Sequence, residues 1–298
     1  MDDRTPLPLT EEVNPSTGDL DLLDTHELLH RINDEDRRAA WAVERELDVI
    51  GTAVDAVVQR LREGGRLHYF GAGTSGRIAA ADAAELPPTF STPADLVVAH
   101  IAGGPPALMQ AIEGAEDDGP AGAAEVSAAH IRDSDVVVGI SASGRTPYVL
   151  AAVGAAHAAG ALTIGITNDV RNPLTRRVAI PMALLTGAEA VTGSTRMKAA
   201  AAQKMALTML STAVMVKLGH VHGNLMVDVA PSSAKLRRRA LRMTALLAHA
   251  QEPDASAALE SADYEVKTAV VMLLRGCSVA DARAVLASCD GNLRRALA

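Results

Sequence analysis

Aromatic side chains are nearly missing from this chain: one Trp, three Tyr and two Phe in 298 residues. Its core therefore has to be built from Ala, Val, Leu, Ile and Met, which suits an α/β protein with Ala-rich helices. Cysteine is equally scarce. Cys277 and Cys289 both lie near the C-terminus, which leaves no disulfide framework, and no Cys or His partners stand at zinc-ligand spacing. No apolar run approaches the roughly eighteen residues of a membrane span, and Met1-Asp-Asp-Arg-Thr-Pro has no apolar signal region. A soluble cytoplasmic protein with no membrane partner is expected. Positive charge is in deficit, 28 Lys and Arg against 36 Asp and Glu, for a formal net charge of −8. That excludes the broad basic face of a nucleic-acid binder but not a local cationic pocket.

What the chain does have is hydrophobic residues, 48% of the total, arranged as short apolar runs alternating with helical segments. The runs 66–70, 95–101, 135–140, 162–167 and 178–185 read as strands; Pro181 favours an edge position for the last. Strands apolar throughout and separated by helices predict a doubly wound α/β fold. Its five-stranded, mainly parallel sheet is covered on both faces, and its ligand edge lies at the strand C-termini. Residues 1–25 read as a disordered polar tail, or as an arm docked through Leu20, Leu22 and Leu23. Thr25 to about Arg62 reads as two helices broken at Asn33-Asp-Glu-Asp36, a solvated acidic cap. A loop with Gly103, Gly104 and two prolines leads to a helix over 107–114. A long helix spans about 197–218 and another runs from 232 to about 251, its Lys235 and Arg237–Arg239 a solvated basic face. Three short helices, near 256–262, 265–275 and 278–287, follow a linker.

Three loops carry unusual chemistry. After the third strand comes Ser141-Ala-Ser-Gly-Arg-Thr-Pro-Tyr148, in which Ser141, Ser143, Gly144 and Thr146 precede a helix opened by Pro147. Free amides and the helix dipole suit an anion there, and three hydroxyls exceed what one N-cap needs. After the first strand comes Gly71-Ala-Gly-Thr-Ser-Gly-Arg77. This G-x-G-x-x-G is a weak dinucleotide signal, and no acidic residue stands at the ribose position of a second strand. A second hydroxyl loop, with Gly73, Thr74 and Ser75, is the simpler reading, with no nicotinamide and no other cofactor. Gly193-Ser-Thr-Arg-Met-Lys198 opens the long helix, where Ser194 or Thr195 is a natural cap and Arg196 and Lys198 either complement a phosphate or form a solvated first turn. Glu85, before Leu86-Pro87-Pro88, and Glu116, in Glu113-Gly-Ala-Glu-Asp-Asp118, are taken as carboxylates at helix ends.

The first two loops resemble the phosphosugar-binding loops of the sugar isomerase (SIS) domain. Ile32-Asn-Asp-Glu-Asp36, Asp82-Ala-Ala-Glu-Leu-Pro-Pro-Thr89, Glu113-Gly-Ala-Glu-Asp117, Val191-Thr-Gly-Ser-Thr-Arg-Met-Lys198 and Gly223-Asn-Leu-Met-Val-Asp228 narrow the likeness. Together they are similar to the N-acetylmuramic acid 6-phosphate etherase family, from about residue 10 to the C-terminus, with Ala84 where a Ser often stands. The resemblance implies a flavodoxin-like SIS domain over 56–222, preceded by an arm and helices over 1–55. A connecting segment over 223–251 and a small UBA-like helical domain over 252–298 follow it. It implies cleavage of the D-lactyl ether of N-acetylmuramic acid 6-phosphate to N-acetylglucosamine 6-phosphate and D-lactate, by elimination and then addition of water, in amino-sugar recycling. No metal or cofactor is needed, only an acid and a base. Glu85 is then the acid and Glu116 the base at C2. Gly73, Thr74, Ser75, Ser141, Ser143, Gly144, Thr146, Ser194 and Lys198 form the phosphosugar site, and a homodimer with sites near its interface is expected. An amino-sugar phosphate aldose–ketose isomerase and a non-catalytic sugar-phosphate sensor are the alternatives.

Overall fold

The computed structural model describes residues 7–298 except 230 and 232. They fall into two units, Met1–Ala83 with Asp95–Ser211, and Ala84–Ala94 with Thr212–Ala298.

In the first unit, α1 (Thr25–Glu44) and α2 (Leu47–Arg62) precede β1 (Leu67–Gly71). There follow α3 (Gly73–Phe90), β2 (Val97–Ile101), α4 (Gly119–Ala128), β3 (Val136–Ile140), α5 (Pro147–Ala158), β4 (Leu162–Thr167), β5 (Ile180–Ala183) and α6 (Lys198–Lys217); α3 from Ala84 and α6 from Thr212 count with the second unit. All strand pairs are parallel, in the order β2-β1-β3-β4-β5. Every residue of β1 and β3 is buried, the signature of strands covered on both faces. β5, with Pro181, is the edge strand, where a missing ladder donor costs nothing. The chain leaves β1 for one edge and returns to β3 on its other side, so the topological switch point lies between β1 and β3. Gly71 and Ile140, their last residues, are in register. α6 has the length and apolar content of a membrane span, but 56% of that stretch is buried within the chain.

The structure departs from the expected elements in five places; one is the stretch 252–256, expected as a linker, which is helical. α1 runs unbroken through Asn33–Asp36 and ends at Glu44. Its charges are matched there: Arg37 pairs with Asp34, Arg38 with Glu35, and Glu35 is a buried partner of Lys198, not a solvated cap. α3 continues through Pro87 and Pro88 to Phe90, so Glu85 lies within the helix. Two prolines are tolerated because only last-turn bonds are lost. The helix expected over 107–114 is absent; two 3-10 turns, Pro105–Leu108 and Ala115–Asp117, replace it. Arg77 supplies what a helix would have: it donates to the carbonyls of Ala107 (3.0 Å), Leu108 (3.3 Å) and Gln110 (2.9 Å). Lastly, the N-terminal arm is docked through polar groups rather than leucines. Asn14 donates to Glu35 (2.9 Å) and to Ala188 O (3.2 Å), and Thr17 donates to Ala190 O (2.8 Å), while Leu22 is 81% exposed.

In the second unit a short hairpin, β6 (Val221–His222) and β7 (Leu225–Met226), leads to α7 (Ala234–Ala248). α8 (Glu252–Ser261), α9 (Val266–Arg275), α10 (Val279–Ser288) and α11 (Leu293–Leu297) complete the chain. Leu259, Val270, Val271, Leu286 and Leu293 from these last helices share one core with Val227, Val229, Ala240 and Met243. Side-chain caps at Ser233, Ser278 and Asn292 satisfy helix-start amides.

Candidate functional site

The register of β1 with β3 sets the loops Ala72–Gly76 and Ser141–Thr146 side by side at the switch point. Each loop is tight for a stated reason. A Cβ on Gly76 would overlap Ile101 and the carbonyl of Gly71, so only Gly allows the loop to fold back against β2. Gly144 has φ +65°, its N–H bonds Ser141 O (3.0 Å), and a Cβ there would overlap the buried Asn172 side chain.

Donors accumulate in this crevice. The first main-chain bond into α3 runs from Gly76 N to Ala72 O, and in α5 from Leu150 N to Thr146 O. The amides of Gly73, Thr74 and Ser75, and those of Tyr148 and Val149, are thus the orphan donors of two helix N-termini. Thr146 is the N-cap of α5 but makes no side-chain cap. Instead its Oγ1 lies 2.8 Å from Ser141 Oγ. Ser143 Oγ accepts from Arg145 N at 3.2 Å, which leaves its own proton free. Ser75 Oγ lies 2.8 Å from Gln203 Oε1, and Gln203 Nε2 lies 3.0 Å from Asn168 Oδ1. Ser75 and Ser141 are buried; Thr74, Ser143 and Thr146 are half-buried. Chemically, two positive helix ends with open amides and hydroxyls suit an anion.

A buried ionic cluster sits at the start of α6. Lys198 is buried and pairs with Glu35. Burial pushes the Glu35 carboxyl up, but Lys198, with Asn14 and Arg38, outweighs it and holds the group below its usual value. The Glu189 carboxylate accepts from Lys198 N (3.2 Å) and Ala199 N (2.9 Å), capping α6. Burial raises its pKa despite those bonds. Lys198 therefore meets a carboxylate within its own chain. Ser194 precedes it in a turn closed by Met197 N to Ser194 O (3.1 Å).

The structure gathers Gly73, Thr74, Ser75, Ser141, Ser143, Gly144 and Thr146 at the switch point. Of the two acids, Glu116 lies on the turn Ala115–Asp117, which packs on α5, and is exposed; Glu85 is exposed too and falls in the second unit. Neither carboxylate has a hydrogen bond or ion pair among the described residues. No group of three or more metal-ligating side chains occurs among the described residues either. Sequence reasoning missed Gln203, Asn168, Glu35 and Glu189. Gln203 follows four alanines, Ala199–Ala202, on a largely apolar helix, and Asn168 directly follows a buried strand; a buried polar residue in either setting signals a partner.

Profiles of two domain families match the chain: the glucokinase regulatory protein N-terminal SIS domain over residues 49–157, and the SIS domain over 118–213. The chain is 46% identical over 289 residues to an N-acetylmuramic acid 6-phosphate etherase of Salmonella dublin, covering 97% of each. It is 48% identical over 297 residues to one of Cutibacterium acnes, covering 100% of this chain and 98% of the relative. Among solved structures, a phosphoheptose isomerase from Francisella tularensis superposes with a TM-score of 0.50 at 20% identity, over 64% of this chain and 97% of that one. One from Neisseria gonorrhoeae gives 0.50 at 21%, over 66% and 100%. At that identity the likeness concerns the fold alone.

Proposed function

This chain belongs to the N-acetylmuramic acid 6-phosphate etherase family, and we propose that it cleaves the D-lactyl ether of N-acetylmuramic acid 6-phosphate, releasing D-lactate and N-acetylglucosamine 6-phosphate. The observation that carries this reading is the full-length likeness: relatives at 46–48% identity span both units and not the SIS domain alone. The cradle at the switch point suits the phosphate. Open amides of Gly73, Thr74 and Ser75, and hydroxyl protons of Ser143 and of the Ser141–Thr146 pair, grip the ester oxygens. Ser194 and Lys198, at the start of α6, are further contacts of this site in our reading, with Lys198 also paired to Glu35.

The reaction needs one base and one acid. In the open-chain sugar the C2 proton is acidic because the aldehyde at C1 delocalises the resulting electron pair. Glu116 takes that proton, the C2=C3 bond forms, and the C3–O bond breaks while Glu85 protonates the leaving lactyl oxygen. Glu85, now a carboxylate, activates water; its oxygen bonds to C3 and a proton returns to C2. Atoms balance as a net hydrolysis. An acid protonated near neutral pH requires a desolvated carboxyl, and both carboxylates are solvent-facing in the single chain. Bound sugar and a second copy of the chain supply the cover, so the working form is a homodimer with its sites near the interface, acting in the cytoplasm.

Purified protein supplied with N-acetylmuramic acid 6-phosphate should release D-lactate. In 18O-water the label should enter the C3 hydroxyl and not the lactate, and in D2O deuterium should appear at C2. Glu85→Gln and Glu116→Gln should each lower kcat by about 10²–10⁴-fold while still binding the product. Wild-type turnover in both variants would remove the two glutamates from the chemistry; label in the lactate would exclude elimination.

A further inference from the structure

The polar chain behind the cradle has a direction, and it can be read from its far end. Asn168 Nδ2 lies 2.8 Å from the main-chain oxygen of Leu184. A carbonyl only accepts, so the nitrogen of Asn168 must face it and its Oδ1 must face Gln203. Oδ1 also only accepts, so Gln203 presents Nε2 to it, at 3.0 Å. That turns Gln203 Oε1 toward Ser75, and Ser75 Oγ, at 2.8 Å, must be the donor. Asn168 and Gln203 are 0% and 1% exposed, and Ser75 9%. Asn168 is held further by its own N–H, bonded to Ala142 O at 2.9 Å in the Ser141–Thr146 loop.

A serine hydroxyl has one proton. If Ser75 gives it to Gln203, the side chain has only lone pairs left for a ligand, and lone pairs repel a phosphate dianion. Resting on the phosphosugar reading of this crevice, we infer that Gln203 is a positioning residue. It takes the Ser75 hydroxyl proton, so that the Ala72–Gly76 loop meets the phosphate through main-chain amides while the hydroxyl donors come from the neighbouring loop. The contrast with Ser143 is direct. Its Oγ accepts from Arg145 N, which leaves its proton to give. Of the Ser141–Thr146 pair, one proton is spent between the two oxygens and one remains. The motif thus has hydroxyls of two kinds, which the residue types alone do not distinguish. Gln203 acts on the ligand only through Ser75 and through the loop that Asn168 ties to the same chain.

The test is the dissociation constant of the full-length protein for N-acetylglucosamine 6-phosphate, by calorimetry, in a double-mutant cycle. Ser75→Ala should change it less than about twofold in the parent, since no ligand bond is lost. In a Gln203→Met background, where the Ser75 proton is released, the same change should weaken binding about fivefold or more, the cost of a bond to a charged acceptor. Ser143→Ala should weaken binding about tenfold. A fivefold loss from Ser75→Ala in the parent would overturn the inference, as would the same response in both backgrounds. Circular dichroism and the melting temperature establish that each variant is folded. If Gln203→Met does not fold, Gln203→Glu, which keeps an acceptor for Ser75, takes its place and should leave Ser75→Ala silent; a fivefold loss there also overturns it. Failure of the site itself is a separate result: Ser143→Ala and Ser141→Ala would both bind like the parent, whatever Ser75 did.

Discussion

His68 is buried on β1, and its Nδ1 lies 3.1 Å from His100 Nε2 on β2. Its Nε2 is buried with no partner among the described residues. Burial first, then His100 and Arg66, push its pKa down to about 4, against the opposing pull of Asp135. A histidine depressed in this way is neutral when folded, so unfolding takes up a proton once the pH falls below its ordinary value near 6.5. Its contribution is whole above pH 6.5 and is lost as the pH falls toward 4. Between pH 7 and pH 5 the parent should lose roughly 2 kcal/mol of stability that His68→Leu does not lose, read from urea melts at the two values. An equal acid loss in the variant would mean that His68 is protonated in the fold. None of this was legible in the chain, where His68 is one polar letter in a strand. Its partner stands 32 residues away, and only the β1–β2 register, Phe70 opposite His100, brings the two rings together. The Ser75–Gln203 contact is hidden for the same reason. The hydroxyl loops were legible because each is local: strand, Gly, hydroxyls and helix start lie within about eight residues, and local chemistry does not depend on the rest of the fold.

The strands were legible as elements because a buried parallel strand is apolar whatever its neighbours are: four lie within the runs read from the sequence, and β1 runs one residue past its own, to Gly71. Helix boundaries fared worse where a distant group decides them. Glu35 is tolerated inside α1 because Lys198 reaches it from α6, and residues 107–110 need no helix because Arg77 occupies their carbonyls. The same dependence on neighbours gives opposite signs to two helical glycines. Gly154 in α5 is exposed, and nothing lies within 4 Å of a Cβ built on it. Gly154→Ala should therefore stabilise by about 0.5–1 kcal/mol through helix propensity. Gly122 in α4 faces α5 so closely that a Cβ would overlap the carbonyl oxygen of Tyr148. Gly122→Ala has the same propensity gain but must push α4 away from the buried Val126 and Val149 contacts. It should destabilise by roughly 1–3 kcal/mol, the range for overpacking a dense interior. Chemical denaturation of the two variants decides it; a stabilised Gly122→Ala would mean that the α4–α5 spacing is not set by that glycine.

Across the whole molecule, the second unit is built from stretches remote in sequence, Ala84–Ala94 and Thr212–Ala298. Its core joins segments on either side of residue 252. Val227, Val229, Ala240 and Met243 are buried together with Leu259, Val270, Val271, Leu286 and Leu293. Lys267 on α9 pairs with Asp228 at 2.5 Å, Asp228 also meets His220 Nδ1 at 2.8 Å, and Arg237 lies over the Tyr264 ring at 5.5 Å. A stretch with so many partners upstream is not a pendant. Ending the chain at Gln251 would strip the large buried side chains Val227, Val229 and Met243 of their cover and leave Asp228 without its lysine. Each fully buried aliphatic side chain is worth roughly 1.5–3 kcal/mol, so their exposure is comparable to the whole stability of a domain, about 5–15 kcal/mol. The shortened chain should therefore bind a hydrophobic dye and lose the cooperative unfolding of the second unit, while the all-parallel sheet, whose residues lie wholly within the first unit, keeps its far-ultraviolet strand signal. A shortened chain that melts at the parent's urea midpoint and binds no dye would show instead that α8–α11 contribute nothing to the core around α7.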